Sequence, residues 1–226
     1  RRCATYKQCF YQSARRRMEN ADLLIVNHAL FFADLALRSE GVGFLPSYDH
    51  VIFDEAHMIE EVASEYFGFS ISNTQVNRLL SGLCHPQRGK GLLSLLSDRC
   101  DASLMNRALA SVCEVRSEAD SFFDTLDVWF STHGRSNGRM DQPFDLENNL
   151  SPALNRLSLC LKLLRDQLKS EEDKLETASF ANRCQMIAHG LEDLLGQKVP
   201  DSVYWLETQA NRRYKRFKLC CRPIEV

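Results

Sequence analysis

Two apolar stripes in the second half of the chain limit most severely what it can become. Ala108, Val112, Val115, Ala119, Phe122, Leu126 and Trp129 recur at alternating spacings of four and three. Leu150, Leu154, Leu157, Leu161, Leu164 and Leu168 repeat the rhythm. A period near 3.5 over at least three turns puts every member on one face of an α-helix, and a strand cannot keep such a set together. Each stripe needs an apolar partner. The polar segment 133–149, with Gly134, Gly138 and Pro143, can turn the chain between them. The pattern therefore predicts an antiparallel helical hairpin. A further helix is expected over about 179–195.

The chain before residue 66 is patterned differently. Leu23–Val26 is a short branched run ended by Asn27, and Val51-Ile52-Phe53 leads directly into Asp54-Glu55-Ala56-His57. Runs that short suit buried parallel strands. Ala29–Leu37 between them reads as a helix, and Gly41, Gly43 and Pro46 break it. Strand, helix, loop, strand is the layout of a βαβ unit in an α/β sheet. Near the other end, residues 203–207 and 217–221 favour β-structure and are expected as a hairpin or edge strands.

Composition narrows the class. The 226 residues suffice for one sizeable core or two small ones. No apolar run approaches the roughly 20 residues that span a bilayer. Nine cysteines is an odd number, and most are scattered through helical segments, which argues against a secreted disulfide framework. A reducing, cytoplasmic compartment fits better, with most cysteines acting as small apolar core residues. The net charge of −2 hides an asymmetry: residues 1–17 and 212–222 each carry six basic side chains and no acid, while 18–211 holds 16 basic and 29 acidic residues. Such basic segments are either solvated surfaces or the footprint of a polyanion.

Three groups could carry chemistry. Asp54 and Glu55 follow an apolar run that would place them at a sheet's ligand-binding edge. There one carboxylate can hold Mg²⁺ and its neighbour can polarise an attacking water. The same pair could also simply cap a strand–helix junction. Cys3 and Cys9 form a Cys-x5-Cys pair among Tyr6, Phe10 and Tyr11. Zinc or an iron–sulfur cluster wants four ligands, so the pair is half a site or two unrelated surface thiols. Arg15-Arg16-Arg17 could contact phosphates without regard to sequence. His85, His133 and His189 have no motif around them.

Three phrases, in this order and spacing, resemble the DinG/XPD group of superfamily 2 helicases. They are Cys9-Phe10-Tyr11-Gln12-Ser13-Ala14-Arg15-Arg16-Arg17, then Ala21-Asp22-Leu23-Leu24-Ile25-Val26-Asn27-His28-Ala29-Leu30, then Tyr48-Asp49-His50-Val51-Ile52-Phe53-Asp54-Glu55-Ala56-His57. The resemblance covers residues 1 to about 66. The helical region is similar to the family's arch insertion in position and character, and Arg222–Val226 resembles the return to the motor.

The resemblance implies an α/β helicase motor-domain fragment, with a parallel sheet of the P-loop NTPase type and a large α-helical arch insertion, predominantly helical overall. Residues 1–20 would be the C-terminal part of an iron–sulfur domain and 21–66 a motor segment with Walker B. Residues 67–200 would be the arch and 201–226 the return to the motor. It implies a 5′→3′ DNA helicase using ATP and Mg²⁺ on single-stranded or forked DNA, as a monomeric motor, in repair or replication. Asp54 would coordinate Mg²⁺, Glu55 would activate water, and His57 would couple the nucleotide site to other motifs. Cys3 and Cys9 would be two of four [4Fe–4S] ligands, and Arg15, Arg16 and Arg17 would lie along the DNA path. The alternative is a non-catalytic nucleic-acid-binding or assembly module with a vestigial DEAH sequence. A zinc-binding regulator using Cys3 and Cys9 is a third reading. No G-x-x-x-x-G-K-[S/T] occurs in the chain. The simplest expectation is a piece from the middle of a longer protein, inactive by itself.

Overall fold

In the computed structural model, which describes residues 6–39, 41–86, 89–133, 137–144, 146–211 and 214–224, the chain divides into two compact units. One comprises residues up to Gly68 with the last few from Arg222; the other is Phe69–Cys221.

The first unit contains α1 (Phe10–Glu19), α2 (His28–Ser39) and α3 (Ile59–Phe67). Asn27 starts α2: its side-chain oxygen accepts the Leu30 N–H at 2.8 Å. That satisfies one donor that a first helical turn leaves open. The helix expected over Ala29–Leu37 is therefore present. The strands expected on either side of it are not: neither 23–26 nor 51–53 lies in a β-ladder. A parallel strand satisfies its backbone only through neighbours, and the one sheet among the described residues lies in the second unit. Exposure still alternates along the first run. Leu23 and Ile25 are open to solvent at 78% and 93%, whereas Leu24 and Val26 are half-buried. Ile52 in the second run is 94% exposed.

The second unit runs β1 (Phe69–Ser72), α4 (Asn73–Leu83), α5 (Leu92–Leu96), α6 (Ala102–His133), β2 (Arg139–Met140), α7 (Leu150–Gln167), α8 (Glu171–Gly196), β3 (Ser202–Asn211) and β4 (Tyr214–Pro223). The two stripes form its core, with Ala108 through Leu126 and Leu150 through Leu168 buried and Trp129 packed against them. α6 and α7 are antiparallel: Glu114 pairs with Arg156, Ser111 meets Cys160, and the Asp101 N–H reaches Gln167. α7 also runs antiparallel to α8, so it is sandwiched. The Ser151 hydroxyl donates to the Ala188 carbonyl at 2.9 Å and Ser158 to Ala181 at 2.8 Å. Serine and alanine each repeat at seven residues along that contact, which lets the two backbones approach.

α8 begins at Glu171, about two turns before the expected helix. Ser170 caps it by accepting the Asp173 N–H, and Glu171, Glu172 and Asp173 face the positive end of the helix dipole. Pro152 fits α7 because it lies in the first turn, where no N–H is needed. The sheet order is β1-β4-β3-β2. β1 pairs antiparallel with β4, Phe69 opposite Cys221, and β2 with β3, Arg139 opposite Trp205. The expected hairpin is present, at the middle of this sheet rather than its edge. Cys160, Cys184, Cys220 and Cys221 are buried, but Cys113 is exposed because it falls one residue off the α6 stripe. No helix among the described residues is long and apolar enough to cross a membrane.

Candidate functional site

The Asp54–His57 tetrapeptide sits on an exposed turn. Asp54, Glu55 and His57 are all exposed. Asp54 Oδ1 accepts the Glu55 N–H at 2.9 Å, which fixes the rotamer of that carboxylate. Glu55 adopts left-handed backbone angles, φ 49° and ψ 50°, immediately before a 3₁₀ turn over Ala56–Met58. A non-glycine residue there costs about 1–3 kcal/mol, and such strain concentrates at functional sites. His57 Nδ1 lies 3.3 Å from Glu55 Oε2, with both side chains about two-thirds exposed. In water such an exposed pair contributes little stability. The arrangement offers a hard oxygen ligand in Asp54, a proton acceptor in Glu55, and an imidazole beside that acceptor.

Phe53 fastens this turn to α2. Its ring meets Phe31 edge-on at 5.2 Å, stacks on Phe32 at 6.1 Å, and lies 5.8 Å from His28. A second fastening was not anticipated from the sequence. Asp34, fully buried on α2, accepts from Arg38 Nε at 2.5 Å, from the Phe44 N–H at 2.7 Å and from the Leu45 N–H at 2.8 Å. Arg38 donates in turn to the carbonyls of Leu45 and Pro46 and covers the Tyr48 ring at 5.0 Å. Burial alone would raise the Asp34 pKa, but Arg38 and the two backbone donors hold it below the ordinary carboxylate value. A signal was available: an acid inside Phe31-Phe32-Ala33-Asp34-Leu35-Ala36-Leu37, with arginine four residues on.

α1 carries the basic residues. Arg16 and Arg17 line an open depression with Ser13, Asn20 and Ala21, while Arg15 is exposed outside that set. Arg16 Nε donates to the Gln12 carbonyl, and Asn20 Nδ2 donates to the Arg16 carbonyl. No α1 side chain is buried, and Phe10 and Tyr11 are exposed at 92% and 63%. Cys9 is a half-buried free thiol at the N-cap of α1. Cys3 lies outside the described residues. Among those described, no group of three or more His, Cys, Asp or Glu is placed to hold a metal. The donor chemistry at Cys9 suits a cluster, but this chain could supply there at most the two thiolates of Cys3 and Cys9.

Residues 2–76 match the DEAD_2 family model. The chain is also similar to the ATP-dependent DNA helicase YoaA of Haemophilus influenzae, 47% identical over 75 residues, covering 33% of this chain and 12% of that protein. YoaA of Escherichia coli K12 is 45% identical with the same coverage. The ATP-dependent DNA helicase DinG of Salmonella typhimurium is 34% identical over 74 residues, 33% of this chain and 10% of that protein. The match thus spans about an eighth of the length of the YoaA relatives. The DEAD_2 match includes α1, α2, the DEAH turn and α3, and ends within α4.

Proposed function

We propose that this chain, whose residues 2–76 are a DEAD_2 segment homologous to YoaA and DinG, is the central part of an ATP-dependent DNA helicase of the DinG/XPD type. The observation that carries the reading is the exposed, strained DEAH turn inside the matched segment. Asp54 would hold Mg²⁺ through its carboxylate, and the ion would supply positive charge against the ATP phosphates. Glu55 accepts a proton from the attacking water. His57 keeps the Glu55 carboxylate oriented and links it to neighbouring motifs.

In the whole motor, 23–26 and 51–53 are adjacent parallel strands. The exposure of Leu23, Ile25 and Ile52 supports this, because apolar side chains so open to water need a cover. Residues 1–20 belong to the iron–sulfur domain, where Cys3 and Cys9 would supply two of the four thiolates that hold a [4Fe–4S] cluster. Residues 21–66 are the motor segment and 67–200 the arch, and the chain returns to the motor within 201–226, after β3 and most of β4 have closed the second unit's sheet. Single-stranded DNA passes along α1, its phosphates against Arg15, Arg16 and Arg17 and its bases within reach of Phe10 and Tyr11. The motor works 5′→3′ on forked or single-stranded DNA, as a monomer in the cytoplasm, serving repair or replication.

The test is Glu55→Gln in the full-length protein. Nucleotide binding is retained and steady-state hydrolysis falls by roughly 10²–10⁴-fold. Retained hydrolysis removes the role given to Glu55. Cys9→Ser, in the same protein, loses the cluster's visible absorbance; an unchanged spectrum removes Cys9 from the ligand set.

A further inference from the structure

We propose that Asp34 and Arg38 are positioning residues: a buried clamp that sets where the DEAH turn sits and so governs the rate of hydrolysis rather than the binding of nucleotide. The inference rests on the hydrolytic reading above.

The contacts form an unbroken path from the clamp to the turn. Asp34 holds two successive backbone N–H groups, those of Phe44 and Leu45, and Arg38 holds the carbonyls of Leu45 and Pro46. Beyond them, the Tyr48 ring lies under Arg38 and 5.9 Å from Phe31. Phe31 and Phe32 then grip Phe53, which directly precedes Asp54. The loop between α2 and the turn is therefore tied back to one helix at both ends.

Stability alone does not account for a charge in this place. Desolvating a carboxylate costs several kcal/mol, and well-packed apolar residues of similar volume are often as stable or more so. What a carboxylate adds is register: it binds two consecutive amides in one alignment only, on a loop that Gly41 and Gly43 would otherwise leave loose. Misplacing a catalytic group by about 1 Å can cost on the order of 100-fold in rate. Asp54 and Glu55 reach the phosphates only as well as the loop that carries them is placed.

The experiment uses the full-length protein and four variants: Asp34→Asn, Arg38→Gln, Arg38→Lys and, as a control, Glu55→Gln. Each is assayed for ATP turnover, for KM, and for the stoichiometry of a non-hydrolysable ATP analogue. The clamp predicts that Asp34→Asn and Arg38→Gln lower kcat on the order of 10- to 100-fold, with KM and full analogue stoichiometry retained. Arg38→Lys, which keeps the charge without the planar fork, falls between them and the parent. A merely structural role gives either unchanged kcat or a loss matched by lost analogue binding, and both overturn the proposal. Should Asp34→Asn fail to fold, Arg38→Gln decides, since the Arg38 side chain is already 32% exposed. If Glu55→Gln still turns over ATP, the hydrolytic reading itself fails. If Glu55→Gln is dead and the clamp variants are normal, only the clamp fails.

Discussion

Asp34 is fully buried and accepts three hydrogen bonds. Its native pKa lies below the ordinary value, so its contribution to stability is fully present above the unfolded carboxylate pKa and is lost as pH falls through the native one. The protection of the Phe44 and Leu45 amides, taken relative to intrinsic exchange at each pH, should therefore fall on acidification through that window, and Asp34→Asn should remove that pH dependence. Protection that is indifferent to pH would mean the carboxylate is not what holds the loop. Cys184 gives a contrasting case. Burial pushes its thiol up to about 12, so almost no thiolate exists near neutrality. Iodoacetamide at pH 8 should label exposed Cys113 quickly and reach Cys184 only when the helices open. Early labelling of Cys184, read by peptide mass spectrometry, would count against the packing of α7 on α8. The sequence made the identity of Asp54, Glu55 and His57 plain. It left the left-handed backbone at Glu55 unseen, because nothing in the side chains requires it.

At the scale of elements, the seven-residue repeat of Ser151 and Ser158 against Ala188 and Ala181 sets how closely α7 and α8 approach. Ser158→Ala should cost about 0.5–1.5 kcal/mol through the lost hydrogen bond. Ser158→Leu should cost about 1–3 kcal/mol or more by overpacking, since the site has no spare volume. Equal midpoints in urea for the two variants would show that the contact is not tight. Gly138 enters β2 at φ 76°, and a Cβ there would collide with the Leu206 carbonyl. Gly138→Ala is thus expected to destabilise the second unit by more than an ordinary surface change, both from backbone strain and from that clash. The stripes on α6 and α7 were legible because burial on a helix has a period. The start of α8 was not, because a capped, acidic first turn carries no apolar pattern.

Taken as a whole, the chain joins one unit with a dense leucine core to another whose apolar runs remain open to solvent. Leu157 is fully buried in the core of the second unit, and Leu157→Ala should lower the stability of that unit by about 2–5 kcal/mol. In the first unit, amides of 23–26 and 51–53 should exchange quickly in the 226-residue chain and slowly in the full-length protein. Equal exchange in both would remove the proposed parallel sheet. What the sequence by itself determined is the content that depends on local order along the chain. That content is the helical stripes, the caps, the β-favouring tail, and a DEAH phrase in the right company. Only the tertiary structure decided the rest. It paired β1 at 69–72 with β4 at 218–221, sandwiched α7 between two helices, and brought Asp34 onto the amides of a loop ten and eleven residues on. The physical reason is that periodicity reports which side of an element is buried, never against what. Backbone hydrogen bonds between segments distant in sequence are satisfied by geometry, and leave no trace in the identity of the residues that make them.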